Sequence, residues 1–522
     1  MELAKMDLVL INPPNPSVYE ATPHMGLHYL SAAATAQGFR VVVLDAPLTG
    51  MASGGIVAAA LKFDPAVIGV SIPFQDQVAT ALRIAELLRA KGFRGHLTLG
   101  GHTASFAAPF LLSNYASVVD SVFVGEAEGC ISRFLEAYLK HSDWTSVDGV
   151  ASLTPDGRTR INAPRYIANL DDIPFPHTIS EALRKPFLAP IVTSRGCSGR
   201  CTFCSIGAFH RLGRVGHRVH SPQRIQQEVK WAVSLGASGI RFWDEDFIGP
   251  DGASRCSDIA EVMSAASSPI PFTIEARADR IEAGLVRQLK NAGLRKVFVG
   301  VEAMAPTILE ELGKGTTPEM NLRAISILRD EGVEYDIGYI MMTPESTVAD
   351  IREQLKWLNW FGQPNFFHFS PLIVYLGTPI YKRLQASGRL MGEPLNPTYS
   401  FPDSPRAGVY QALLKVHDTL CRLGLSRLRA WQAVVRQGRS GDLPNDWLRR
   451  TRDAIGAITA QYSKALDSLL LAVENGESPS LLSSDASQGA IRALDDMLTS
   501  ASDLANWGPA AVPESGGGDL GG

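Results

Sequence analysis

Between Asp7 and His141, short apolar runs alternate with stretches whose apolar positions recur every three or four residues. MDLVLINPP is an apolar run closed by prolines, and GLHYLSAAATAQG has helical spacing and ends on a glycine. RVVVLDAP, AVIGVSIPF, HLTLGGH and SVVDSVFVGEAEG are further runs, with helical stretches such as DQVATALRIAELLRAKG and ISRFLEAYLKH beside them. Strongly apolar strands set between amphipathic helices predict a parallel sheet covered on both faces. Residues 1–140 are therefore expected to form an α/β, doubly wound (Rossmann-like) domain, whose ligands lie beyond the carboxyl ends of the strands. A connector, 141–188, holds a β-like patch, GVASLTPDGRTRIN, and the proline- and acid-rich NLDDIPFPH. The alternation resumes with PIVTSRG, GIRFWDED, PFTIEARAD, KVFVGVE, VEYDIGYIMMTP and NFFHFSPLIVY. Six such units in 189–400 fall short of the roughly 250 residues of an eight-unit barrel, so a partial (β/α)6 TIM-like barrel is expected. Residues 401–507 read as a helical region, and 508–522 as a glycine-rich, disordered tail.

The chain of 522 residues is too long for a single core. Its net charge of −4 gives no sign of nucleic-acid binding. No apolar run approaches the eighteen or so residues of a membrane span. The start, MELAKMDLVLINPP, lacks the basic, apolar and small-residue regions of a signal peptide, and a cytoplasmic protein is expected.

Six cysteines do not make a disulfide framework in a chain of this length. Cys130, Cys256 and Cys421 stand in apolar or helical contexts and read as buried thiols. That isolates SRGCSGRCTFCSIG, which carries Cys197, Cys201 and Cys204 in the loop after the first barrel strand. A zinc site would need a fourth ligand, for which His210 is available. Redox-pair chemistry would leave Cys201 superfluous. A four-iron cluster held by three thiolates keeps one iron open for a substrate or cofactor.

The pattern Cys197-x-x-x-Cys201-x-x-Cys204, at the end of the first strand of a partial barrel, resembles the radical S-adenosylmethionine superfamily. The resemblance implies a 4Fe-4S cluster whose open iron binds S-adenosylmethionine, giving a 5′-deoxyadenosyl radical that takes hydrogen from a substrate. It places Phe203 near the adenine. It assigns Asp244, Glu245 and Asp246 to the acidic element that receives the methionine amino group. Glu275 and Arg277 end the third strand, and Arg277 suits a carboxylate. Glu302 resembles the glutamate of a G-V-E-S element in which Ala303 replaces the serine. Gly338 and Ile340 fall on the adenine-binding strand, where Met342 replaces a second glycine, and Gly377-Thr378-Pro379 matches a G-T-P element.

In the first domain, NPP, MGLHYL, GVSIPF, LGGHTA and VGEAEG resemble the cobalamin-binding domain of cobalamin-dependent radical S-adenosylmethionine enzymes. This implies cobalamin contacts from Pro13, Ser71, Phe74, Gln75, Gly100, Gly101, His102, Gly125 and Glu126. No D-x-H-x-x-G lower-ligand motif is present. His102 reads equally as a polar contact or as a loop histidine. In RLGRVGHRVH, Arg211, Arg214 and Arg218 read as contacts to an acidic substrate or to cobalamin, or as a solvated loop. The implied activity is C-methylation of an unactivated carbon by methylcobalamin. The expected substrate is a small-molecule, natural-product intermediate, as in antibiotic biosynthesis, and the expected electron donor is of flavodoxin or ferredoxin type. The catalytic residue is left unassigned. The alternatives are cyclisation, rearrangement or oxidation with the same cofactors, and a non-enzymatic zinc or iron–sulfur protein.

Overall fold

The computed structural model describes residues 5–14, 22–176, 187–265, 269–361, 370–401 and 406–411, with separate positions between 463 and 475. The chain divides into two compact units, Met1–Gly338 with Leu372–Ser400, and Tyr339–Pro371 with Phe401–Gly522.

In the first unit, β1 (Leu8–Asn12) lies between β2 (Val41–Asp45) and β3 (Val67–Ser71), followed outward by β4 (His96–Gly100) and β5 (Ser121–Phe123). These five strands pair in parallel. Both faces are covered because successive side chains go to opposite sides. Leu8 and Leu10 pack with Leu27, Ala34, Ile131 and Phe134, while Val9 and Ile11 pack with Ile56, Val57, Ile84 and Ala104. Each such fully buried aliphatic side chain contributes about 1.5–3 kcal/mol. Sheet growth reverses between β1 and β3, the switch point at which the strand ends of such a sheet open a crevice.

The β-like patch of the connector forms a hairpin, β6 (Val150–Leu153) and β7 (Thr159–Ile161). It turns at Gly157, whose φ of 79° suits glycine. The hairpin adds to β5 in antiparallel fashion and makes the first sheet seven-stranded.

A second sheet takes the order β14-β13-β12-β11-β8, with β8 (Leu188–Ile191), β11 (Gly239–Phe242), β12 (Phe272–Arg277), β13 (Leu294–Glu302) and β14 (Glu334–Tyr339). Its first four strands pair in parallel. A short antiparallel pair, β9 (Ser194–Arg195) with β10 (Arg218–Val219), brackets the cysteine loop. The intervening helices start on good caps: Ser221 accepts from the Arg224 amide and Thr317 from the Met320 amide, each with proline at the helix start. Residues 372–400 carry the helix Pro379–Ala386 and the hairpin β15 (Leu390–Glu393) with β16 (Asn396–Tyr399). Leu376 and Leu395 enter the core of the first sheet.

In the second unit, the helix Val348–Phe361 buries Ile351, Leu355 and Leu358, and Arg352 pairs with Asp467 and Glu474. Met342 bridges Pro371 in parallel where the sixth run is expected, but 362–369 lie outside the described residues. So do Cys421, most of the expected C-terminal helices and the 508–522 tail. Among the described residues, no helix is long and apolar enough to cross a membrane.

Candidate active site

The cysteine loop leaves β9 and ends at the helix Ser205–Leu212. It is pinned from outside: the Thr202 amide donates to the Leu312 carbonyl (2.7 Å), its hydroxyl to Glu311 (2.8 Å), and the Ile380 amide to the Thr202 carbonyl (3.0 Å). Gly196 has φ 90°, and a Cβ there would lie 2.8 Å from the Gly216 carbonyl, so the turn requires glycine. All three thiols are free. The Gly199 amide lies 3.3 Å from Cys197 Sγ, Asp246 Oδ2 lies 3.7 Å from the same sulfur, and Arg277 Nη1 lies 3.6 Å from Cys201 Sγ. Amides of Gly207 and Ile206 face Cys204.

Burial pushes the Cys197 thiol up to about 11 and raises Cys204, and the Cys201 charge raises both. These are poor free nucleophiles; thiols so placed become thiolates by binding metal. Amide and guanidinium donors at the sulfurs fit that role. Among the described residues no three His, Cys, Asp or Glu side chains surround a single ion. His210 lies instead 3.7 Å from Glu126 and 3.5 Å from Glu245, against the zinc reading.

The three acids at the end of β11 diverge. Asp244, 1% exposed, accepts from the Thr193 and Ser194 amides (2.6 Å each) and from Thr193 Oγ1, with Arg255 3.4 Å away. It ties β11 to the start of the cysteine loop. Glu245 accepts from the Gly196 amide (3.0 Å). Burial raises its carboxyl, but His210 and backbone hydrogen bonding outweigh this and leave it below the ordinary value. Asp246 faces Cys197 and the Gly249 amide.

Glu275 is 3.6 Å from Arg241, and burial raises it. Arg277 binds both oxygens of Asp279 and donates to the Lys314 carbonyl (2.7 Å). Glu302 accepts from Lys314 (2.9 Å), and Gly338 and Gly300 leave room for its oxygens. Lys314, buried and close enough to Cys201 to sense its charge, escapes sequence reasoning; its setting between two glycines is the one sequence signal that could have found it. Phe203 is half-buried in the cysteine loop. Ile340 belongs to the second unit, where its carbonyl accepts from Gln354 (2.7 Å).

A cavity opens at the carboxyl ends of the first sheet. Of the residues expected to bind cobalamin, Ser71, Gly100, Gly101, His102, Gly125 and Glu126 line it. So do Phe209, His210, Trp243 and Glu245 from the region of the second sheet. Pro13, Phe74 and Gln75 do not lie on this wall: Phe74 is 51% exposed, and Gln75 donates to the Val374 carbonyl (3.1 Å) and accepts from the Leu376 amide (2.7 Å). Gln75 therefore acts as a clamp on the 374–376 backbone. Glu126 pairs with Arg218 (3.1 Å) and Arg195 (3.6 Å).

The His102 ring lies 4.0 Å from that of Phe209, tilted by 42°, and burial brings it down to about 4, so it is neutral at pH 7. A Cβ on Gly101 would lie 2.9 Å from the Ile72 carbonyl. Sequence reasoning missed His24, which caps the helix Met25–Thr35 through Nδ1 and lies 3.0 Å from Ser71 Oγ through Nε2. Asp45, which accepts from Asn12 (2.9 Å), also accepts from the His24 amide (3.0 Å). The position of His24 just before MGLHYL is the only sequence signal.

The chain matches the family model described as Radical SAM superfamily over residues 191–358, and that described as B12 binding domain over 16–135. It is 25% identical over 399 residues to an uncharacterized methyltransferase of Pyrococcus horikoshii, covering 74% of this chain and 84% of the relative. It is 28% identical to 4′-phospho-dehydrooxetanocin synthase of Priestia megaterium, covering 58% of this chain but only 44% of that relative. Its fold is similar to that of the cobalamin-dependent S-adenosylmethionine radical enzyme OxsB with aqua-cobalamin and S-adenosylmethionine bound, with TM-score 0.75 and 18% identity, covering 97% of this chain and 81% of that one.

Proposed function

This chain is a cobalamin-dependent radical S-adenosylmethionine enzyme, with a 4Fe-4S cluster, S-adenosylmethionine and cobalamin as cofactors, and we propose that it methylates an unactivated carbon of a small-molecule intermediate of natural-product type. The observation that carries this reading is the shared cavity wall. His24, Ser71 and Gly100–His102 come from the strand ends of the first sheet, and Trp243 and Glu245 from the end of β11. When bound, the cluster and S-adenosylmethionine supply a 5′-deoxyadenosyl radical, and cobalamin supplies the methyl group.

The chain's own residues then have separable tasks. Cys197, Cys201 and Cys204 hold the cluster. Arg277 and the Glu302–Lys314 pair, beside Cys201, offer charges for the carboxylate and amino groups of S-adenosylmethionine. Glu245 fixes the base of the loop through the Gly196 amide. Neutral His102 and the aromatic faces of Phe209 and Trp243 keep the cavity wall uncharged there and exclude water. The proposed setting is the cytoplasm, and the electron comes from a flavodoxin- or ferredoxin-type donor.

The similarity to a synthase supports a second reading, in which the same cofactors cyclise, rearrange or oxidise a substrate without methyl transfer. S-adenosylmethionine labelled in its methyl group separates the two without knowledge of the substrate. Under strong reductant, methylation predicts label on the bound cobalamin alongside 5′-deoxyadenosine. Label that never reaches cobalamin, with 5′-deoxyadenosine still formed, favours the second reading.

A further inference from the structure

The proposed chemistry draws one electron from outside the chain, and the cysteine loop is where it must enter. Ser198 and Arg200, on the outer side of that loop, are exposed. The segment after the helix Ser205–Leu212 runs beside it: the Gly216 carbonyl closes on Gly196, and His217 Nε2 lies 3.2 Å from the Asp246 carbonyl. Arg211 and Arg214 stand exposed at the start of this segment. Arg280 reaches the same loop through the Ser198 hydroxyl (3.2 Å).

Of the arginines in RLGRVGHRVH, Arg218 is engaged with Glu126. Arg200, Arg211 and Arg214 form no ion pair with a carboxylate among the described residues. Arg214 has φ 56°, an angle that glycine adopts without strain, so the turn itself does not call for an arginine. Three exposed arginines thus lie on the cysteine loop and at the start of the segment that passes it, in a chain whose net charge is −4.

We propose that Arg200, Arg211, Arg214 and Arg280 form the docking surface for a small acidic one-electron carrier protein, which reduces the cluster through the exposed edge of the cysteine loop. The inference rests on the proposed function. The carrier loses one electron and the cluster gains it. That electron is consumed when the S–C5′ bond of S-adenosylmethionine breaks and methionine leaves. Complementary charge across such a contact speeds association and is screened by salt.

The test uses an acidic flavodoxin as the probe and two readouts. The first is calorimetric binding of oxidised flavodoxin to the intact chain at low and high salt. The second is 5′-deoxyadenosine formation driven by reduced flavodoxin or by dithionite. In R211E/R214E, binding and the flavodoxin-driven rate should each fall by about tenfold or more, with the dithionite-driven rate unchanged. R211K/R214K should keep most of both, and binding to the unaltered chain should weaken with salt. Undiminished binding by R211E/R214E, or an equal fall with both reductants, overturns the proposal. If the unaltered chain gives no 5′-deoxyadenosine with dithionite, the parent reading fails, and the binding data still decide the surface.

Discussion

Glu302 holds a left-handed backbone angle, φ 62°, which costs a side chain about 1–2 kcal/mol. Its carboxylate is matched by the ammonium of Lys314, which is 6% exposed. Removing the carboxylate leaves that cation buried and unpaired, so Glu302→Ala is expected to destabilise the chain by about 2–4 kcal/mol. Lys314→Met, which leaves no buried cation, should cost less; urea denaturation of both variants checks the order. His28 makes a different case. It is buried, with no partner at either ring nitrogen among the described residues, and burial, with His24 nearby, brings it down to about 4 from 6.5. The unfolded chain therefore binds a proton below pH 6.5 that the folded chain refuses until about pH 4. The stability contribution is intact above pH 6.5 and is lost as the pH falls toward 4. His28→Leu should be near neutral at pH 7 and should recover about 1–3 kcal/mol at pH 4 relative to the parent chain. Denaturation midpoints at the two pH values measure this, and an unchanged slope would contradict it.

At the level of elements, Gln75 ties the loop after β3 to a segment some three hundred residues away. Gln75→Leu strands the Val374 carbonyl and the Leu376 amide, at about 1–3 kcal/mol for each group left without a partner. Hydrogen exchange at 374–380 should accelerate while bound cobalamin is retained; loss of cobalamin with unchanged exchange would restore Gln75 to the cofactor wall. No local pattern announces such a clamp, because its partners are backbone groups brought near only by the fold. The strand and helix alternation was legible because β1 and β3 of the first sheet are buried on both faces and read as apolar runs, while β12 and β14 of the second alternate buried with less buried positions. The hairpin β6–β7 was legible as a turn, but its membership of the first sheet was not, since antiparallel addition at an edge leaves no mark in the run itself. The acids at the end of β11 were legible as a group. Their division was not: past the end of β11 the chain turns Asp244 into buried hydrogen bonds and Glu245 to the cavity, outside any strand pattern. The three cysteines were legible because their spacing carries the chemistry without help from the fold.

Within the first unit, the two sheets share a polar seam. Arg195 binds Glu128 (2.7 Å) and lies near Glu126; Arg218 binds Glu126, and His210 stands between Glu126 and Glu245. This seam holds the loop after β5 against the helix that follows Cys204, so the cavity and the cysteine loop are fixed by the same contacts. Glu126→Ala would leave both arginines without this carboxylate and is expected to weaken cobalamin retention and lower the denaturation midpoint together; a stable fold with full cobalamin would separate the seam from the cavity. The central claim, that one chain joins radical generation at the three cysteines to bound cobalamin, is tested most directly by anaerobic reconstitution with iron, sulfide and hydroxocobalamin. After free cofactors are removed, S-adenosylmethionine and dithionite are added, and 5′-deoxyadenosine is measured by mass spectrometry beside the cobalamin content, for the parent chain and for Cys201→Ala. The account predicts stoichiometric cobalamin in both proteins and 5′-deoxyadenosine in the parent alone. Bound zinc without sulfide, absence of cobalamin from the parent, or undiminished 5′-deoxyadenosine in Cys201→Ala would contradict it.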